Sequence, residues 1–262
     1  MNLLLQKFNK IQTCTLMGLS SNTLIHMTSN KNSLKGILKN SFRPCYCVET
    51  LELKNHPSKF SAAYPMVCFC DIPLSEMKTH LFKYGHYGIG LRKEWGKEKQ
   101  LNPVLYFDKN SVLLNDFYSR FVEIAKDEDK YGEIGVSFMQ IFSFSKNYEG
   151  KNSKLEVENH RYSDEREWRF VPSKEELGDC PPYIPIRDFR SDEEKFMRKL
   201  KTKNISLNFT IKDVKYIIVS KDDEIEEILA LLDETFTDKK DANSLQTLKT
   251  RIITTEQILT DI

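Results

Sequence analysis

Two glutamates and an arginine, Glu165, Glu167 and Arg169, stand at alternate positions of the run RYSDEREWRFVP, residues 161–172. If the run is a β-strand, these three share one face and Arg166, Trp168 and Phe170 share the other, because successive side chains alternate. Like charges on one face repel. Such a row is therefore solvated, paired with cations, or held for chemistry such as stabilising positive charge that develops in a transition state. Glu167, mid-strand, is the better held of the two carboxylates. A second polar set sits on apolar runs: His26 and Thr28 in LIHMTS, Asp71 in CFCDIP, and His86 and Tyr87 in YGHYGIGL. Each has an ordinary structural explanation. A lone strand histidine usually packs or faces water, and an aspartate before Ile-Pro usually forms a turn.

Common enzyme signatures are missing. The histidines at 26, 56, 80, 86 and 160 show no H-E-x-x-H spacing. The glycines at 85, 88 and 90 fail the phosphate-cradle patterns, and no G-x-S-x-G elbow occurs. Cysteines fall at 14, 45, 47, 68, 70 and 180. The two C-x-C pairs, Cys45/Cys47 and Cys68/Cys70, could supply four thiolates to zinc, but structural zinc knuckles usually space their ligands further apart. Reduced thiols on strands, with no metal, are the expectation.

These residues need a scaffold. The chain has 262 residues, 40% hydrophobic and 11% aromatic, and a formal charge of +1. That length can bury roughly 70–75% of the unfolded surface. No global field draws it to nucleic acid or to an anionic membrane. Its apolar runs are far shorter than the ~18 residues of a membrane span, and no charged-then-apolar leader opens it, so a soluble cytoplasmic protein is expected.

Periodicity predicts an opening helix within residues 1–20, then a strand in NTLIHMTS. A helix follows in NKNSLKGILKNSFRP, capped by Asn30 or Asn32, burying Leu34, Ile37 and Leu38 and stopped by Pro44. YPMVCFCDIP, HYGIGLRKEW, NPVLYFD and VKYIIVS read as strands, with a charged connection between the second and third. SEMKTHLFKYG, NDFYSRFVEIAKDEDKYG, SDEEKFMRKLKTKN and DDEIEEILALLDETF read as helices. VSFMQIFSFSKNYEG and REWRFVP are expected as a strand pair, and the tail as a strand and a short helix. The result is one α+β domain over 1–262, with its motifs in about 22–220 and a C-terminal strand-helix extension over 205–262.

Taken in order, LIHMTSNKNSLKGILKNSFRP, MVCFCDIPLSEMKTHLFKYGHYGIGL, LNPVLYF and EREWRFVP resemble the AbiGi-type abortive phage infection proteins over roughly residues 24–220. The same order resembles ADP-ribosyltransferase-like toxins, including DarT-type enzymes. Those open with a histidine-bearing strand and an N-L-x-x-I-L helix and close with a strand-borne glutamate. Phe42 departs from their usual leucine after a glycine.

The second resemblance implies a split β-sheet core with flanking helices and NAD as substrate, without metal. Glu167 would stabilise the ribosyl cation, and Glu165 would orient the acceptor, a nucleic acid or a protein, or share the charge. His26 and Thr28 would hold NAD, Tyr84 or Tyr87 and His86 would flank nicotinamide, and Arg169 would pair with a glutamate or the pyrophosphate. A nucleic-acid acceptor would need a local basic patch, for which LRKEWGKEKQ (91–100) and KFMRKLKTKN (195–204) are the candidates. The AbiGi resemblance implies an alternative, an antitoxin or regulatory component that binds a partner toxin. A metal-free nuclease using Glu165, Glu167 and His26 ranks last.

Overall fold

Eleven consecutive residues, Phe60–Cys70, are apolar or small almost throughout, the pattern of a strand covered on both faces, and they form the axis of the protein. The computed structural model describes residues 21–54, 59–125, 128–152 and 156–262. In chain order its strands are β1 (Thr23–Thr28), β2 (Cys45–Leu51), β3 (Phe60–Cys70), β4 (Tyr87–Arg92), β5 (Asn102–Pro103), β6 (Leu105–Phe107) and β7 (Ser145–Asn147). They continue with β8 (Glu149–Asn152), β9 (Val157–Arg161), β10 (Glu167–Phe170), β11 (Ile184–Pro185), β12 (Val214–Val219) and β13 (Ile252–Thr254).

Nine of these strands make one sheet in the order β13-β12-β4-β1-β3-β10-β5, with β2 and β11 also on β3. The pairings are antiparallel except the edge pair β12–β13. The length of β3 lets it serve two sets of neighbours. Residues 60–66 carry β2 and β11, while Val67–Cys70 pair with Phe170–Glu167 of β10, and Cys70 also faces Ile25.

Register fixes what each face carries. Leu24, Val67, Phe69, Ile89, Leu91, Ile217 and Val219 point to one side, into the largest core. That side is covered by helix α1 (Lys31–Asn40), through Leu34 and Leu38, and by the helices Ile225–Thr235 and Ala242–Lys249. The opposite side carries Ile25, Cys70 and Ile218 under helix α2 (Lys78–Tyr84) and Ile258. Further along it, Tyr64 and Met66 pack under helices α3 (Val112–Ala125) and α4 (Glu128–Ser143), through Phe117, Met139 and Phe142. At the end of α2, Gly85 adopts φ 109°, and a Cβ there would lie 2.2 Å from Ser29 Cα.

The mixed α+β character and most of the expected elements are present, and Asn30 caps α1 by accepting from the Asn32 N–H at 2.7 Å. Three expectations change. VSFMQIFS is the second half of α4 and not a strand; Phe138 stacks on Phe117 of α3 and Phe142 meets the same ring tilted, with ring centroids 5.1 and 4.9 Å away. The charged connection after β4 contains a helix, Lys93–Glu98, anchored by buried Trp95. Strand β2, which pairs along the whole first half of β3, was not anticipated. The helix expected within residues 1–20 lies outside the described residues. No helix among the described residues is long and apolar enough to cross a membrane.

Candidate functional site

Glu165 is not on the strand that carries Glu167. It closes a 3-10 turn over Tyr162–Glu165, and Arg166 then takes a left-handed conformation (φ 45°, ψ 48°) before β10 begins. Arg166 ties this bend to the sheet, because its carbonyl accepts from the Asp71 N–H at 3.1 Å. The bend and the strand deliver both carboxylates to one ammonium. Lys146 Nζ lies 2.9 Å from Glu165 Oε2 and 3.0 Å from Glu167 Oε2.

Lys146 comes from β7, whose parallel register with β6 sets it beside Tyr106. The Tyr106 hydroxyl accepts from the Glu167 N–H at 2.9 Å, so one small ladder supplies two contacts to β10. Arg169, fully buried, donates from Nε to Glu167 Oε1 at 2.7 Å, from Nη2 to Glu49 Oε1 at 2.7 Å and from Nη1 to the Ser143 carbonyl at 2.6 Å. Lys83 of α2 donates to Glu165 Oε1, and His160 Nε2 stands 3.1 Å from the same oxygen. The cluster thus joins three carboxylates, Glu49, Glu165 and Glu167, to three cations, Lys83, Lys146 and Arg169. The repulsion inherent in the sequence is relieved by Lys146 and Lys83 as well as by Arg169.

Glu165, Glu167 and Lys146 hold one another ionised, whereas burial raises the Glu49 carboxyl and lowers the Lys83 ammonium despite their partners. Burial alone would raise the Glu165 carboxyl, but Lys146 and Lys83 outweigh it and hold the pKa at about 2. Burial likewise pushes Glu167 up, and Arg169 and then Lys146 pull it well below the ordinary carboxylate range. Lys146 moves the other way: burial opposes its charge, and Glu167, Glu49 and Glu165 raise it well above the ordinary ammonium value.

Glu165 and Glu167 lie on the wall of an open cleft of about 840 Å³, shared with Asp71, His80, Tyr106 and Arg166. Asp71 is more than a turn former: it is buried, and its Oδ2 lies 2.7 Å from Lys93 Nζ.

Tyr84 lies beside the cluster, its ring centroid 4.9 Å from Lys83 Nζ, but the rest of the expected NAD set is elsewhere. His26 points to the opposite side of the sheet from Glu167 and Arg169, its ring against Phe42 and Phe69 at 5.1 and 5.6 Å. Its Nδ1 lies 2.8 Å from the Cys68 carbonyl oxygen, and burial lowers its pKa despite that bond. Thr28 and Tyr87 pair across β1 and β4 on the His26 side, and the Tyr87 hydroxyl donates to Glu224 Oε1 at 2.8 Å. His86 is exposed, and its carbonyl accepts from Thr255 Oγ1 at 2.8 Å. The structure therefore joins Glu165, Glu167 and Arg169 and separates them, by the thickness of the sheet, from His26, Thr28 and Tyr87.

The two basic runs are committed internally in part, while Lys97, Lys99, Lys195 and Lys201 stay exposed. Arg92 pairs with Asp213 at 2.7 Å and Glu98 at 3.1 Å, Trp95 is buried, Lys199 and Lys203 pair with Asp179, and Phe196 packs beside Tyr46. Lys83, Lys146, Glu49 and His160 were missed from sequence. Each lies on a different element from β10, and only folding brings them to it.

Fold and site together describe an α+β protein with helices on both faces of a mixed sheet and an internally neutralised polar cluster beside an open cleft. The chain belongs to the AbiGi family: the family model described as "Putative abortive phage resistance protein AbiGi, antitoxin" matches residues 40–220. It is 29% identical over 207 residues to "Abortive phage resistance protein AbiGi" of Lactococcus lactis subsp. cremoris, covering 68% of this chain and 82% of that relative. The family match begins at the last residue of α1, so it contains Glu165, Glu167 and Arg169 but neither His26 nor Thr28. No solved structure matches the chain significantly.

Proposed function

We propose that this protein acts in abortive phage resistance as a non-catalytic antitoxin that binds a partner toxin. The observation that carries this reading is the saturation of the carboxylates. Both oxygens of Glu167 are engaged by Arg169 and Lys146, and both oxygens of Glu165 by Lys83 and Lys146. A group so neutralised holds the fold together; it is poorly placed to act on a sugar. The antitoxin wording of the family description supports the same reading.

The test is expression alone and together with a neighbouring gene of its genome. Growth unaffected by this chain alone, toxicity of the neighbour alone, rescue on co-expression and co-purification of the two products are expected. Growth arrest by this chain alone would refute the antitoxin role.

One observation favours a second reading, NAD-dependent ADP-ribosyl transfer to a nucleic acid or protein acceptor: the cleft opens beside Glu165 and Glu167. In that case labelled NAD and cell extract would yield label in nuclease-sensitive or protease-sensitive material, and Glu167→Gln would abolish it. Absence of transfer from a folded preparation would exclude the reading.

A further inference from the structure

We infer that Cys45 and Cys47 form a reversible oxidation site, at which a small peroxide converts the two thiols to a disulfide. This goes beyond the antitoxin reading and does not depend on it, since the reaction needs only the free chain.

The two cysteines stand two residues apart at the start of β2, on one face of the strand, with their Sγ atoms 3.7 Å from each other. Cys45 is exposed, so an oxidant reaches it from solvent, whereas Cys47 is half-buried. Cys45 also lines a groove of about 360 Å³ whose charged residues are Arg43, Arg198 and Lys201 against Glu194 alone. An accessible, electropositive setting favours the thiolate, which is the reactive form. The hydrogen bond with Cys47 acts in the same direction, bringing Cys45 down to about 7, while Cys45, Cys68 and burial keep Cys47 protonated. Cys45 is therefore the nucleophile and Cys47 its resolving partner.

The chemistry follows from that division. The Cys45 thiolate attacks a peroxide oxygen: an S–O bond forms, the O–O bond breaks, and the departing oxygen takes a proton from solvent. Cys47 then attacks the sulfenic sulfur. The S–S bond forms, the S–O bond breaks, and hydroxide leaves as water with the Cys47 proton. The two sulfurs give up two electrons and the peroxide receives them. Residues two apart on a strand stand about 6.6–6.8 Å apart at Cα, the long limit of the roughly 4.4–6.8 Å that a disulfide spans. Closure therefore bends the start of β2, which follows Pro44 and pairs only with β3 among the described residues. A bond closed under such strain is readily reduced, which makes the site reversible.

Mass spectrometry of the full chain, treated with hydrogen peroxide under native conditions at neutral pH, then alkylated and digested with trypsin, tests the site. Trypsin resists the Arg43–Pro44 bond, so the peptide of residues 40–54 holds Cys45 and Cys47 and no other cysteine. That peptide should lose two hydrogens and its uptake of two alkyl groups while Cys68, Cys70 and Cys180 remain reduced, and recover both after dithiothreitol. In Cys47→Ser, dimedone should instead trap Cys45 as the sulfenic acid. In Cys45→Ser, oxidation of Cys47 should slow at least tenfold. A wild-type peptide that still takes two alkyl groups after hours in millimolar peroxide, gains oxygen instead of losing hydrogens, or is joined to another cysteine would overturn the inference. So would undiminished oxidation of Cys47 in Cys45→Ser.

Discussion

Replacing Lys146 by methionine tests whether the cluster is a structural clamp. The substitution keeps an unbranched apolar stem out to Cε and removes the ammonium that two carboxylates share at 2.9 and 3.0 Å. At an effective dielectric of about 20, each contact is worth about 5 kcal/mol before desolvation. Burying the lysine cancels much of that sum. What remains after Lys146→Met is three carboxylates facing two cations, one negative charge uncompensated within a buried network, and breaking such a pair costs about 3–5 kcal/mol. With a urea m-value near 3 kcal/mol per molar, the midpoint should fall by a little over 1 M at pH 7. Adding Glu165→Gln restores the balance, two carboxylates to two cations, so the double variant should be more stable than the sum of the single losses by about 1–3 kcal/mol. A loss below about 1 kcal/mol for Lys146→Met, or strict additivity in the cycle, would refute the clamp.

Acid should release the same clamp. The Glu165 pKa is lowered from 4.5 to about 2, so its contribution is complete above pH 4.5 and disappears as pH falls towards 2, a loss of about 3 kcal/mol visible in urea midpoints across that window. A flat profile there would contradict the pairing. Gly85→Ala should cost at least about 2 kcal/mol in thermal or urea unfolding, because φ 109° and the 2.2 Å approach to Ser29 Cα leave no room for a methyl group. Among Cys45, Cys47, Cys68, Cys70 and Cys180, Cys45 should alkylate first with iodoacetamide at pH 7 by mass spectrometry. It is exposed, and the hydrogen bond with Cys47 brings its pKa down to about 7.

Strands such as β3 and β12 were legible because their apolar runs are nearly continuous and short, and α1 because a cap and a buried stripe agree. VSFMQIFS misled because its β-branched and aromatic residues favour a strand locally, while the phenylalanines of α3 reward the helix that places Phe138 and Phe142 against them. In the site, strand alternation correctly placed Glu167 and Arg169 on one face, and the AbiGi resemblance matched the family shown by comparison. Alternation also contained the warning about His26: its strand register relative to Cys70 decides which face it takes, and that pairing is invisible until β1 and β10 are both seen on β3. Lys83 and Lys146 carried no local signal, since a lysine in a helix or a short strand reads as solvated until its partner is known.

The two chemistries on either side of β10 set different rules for sequence drift within four residues. At Trp168 and Phe170, which pack against the main core, other large apolar side chains meet the same requirement. At Glu167 and Arg169, even an exchange that keeps the charge shortens or reshapes a side chain whose buried hydrogen bonds have fixed geometry. Saturation mutagenesis of this strand should therefore give a tolerance profile with a period of two, permissive and forbidden positions alternating, and any natural exchange at 167 or 169 should be accompanied by a matching one at 49 or 146.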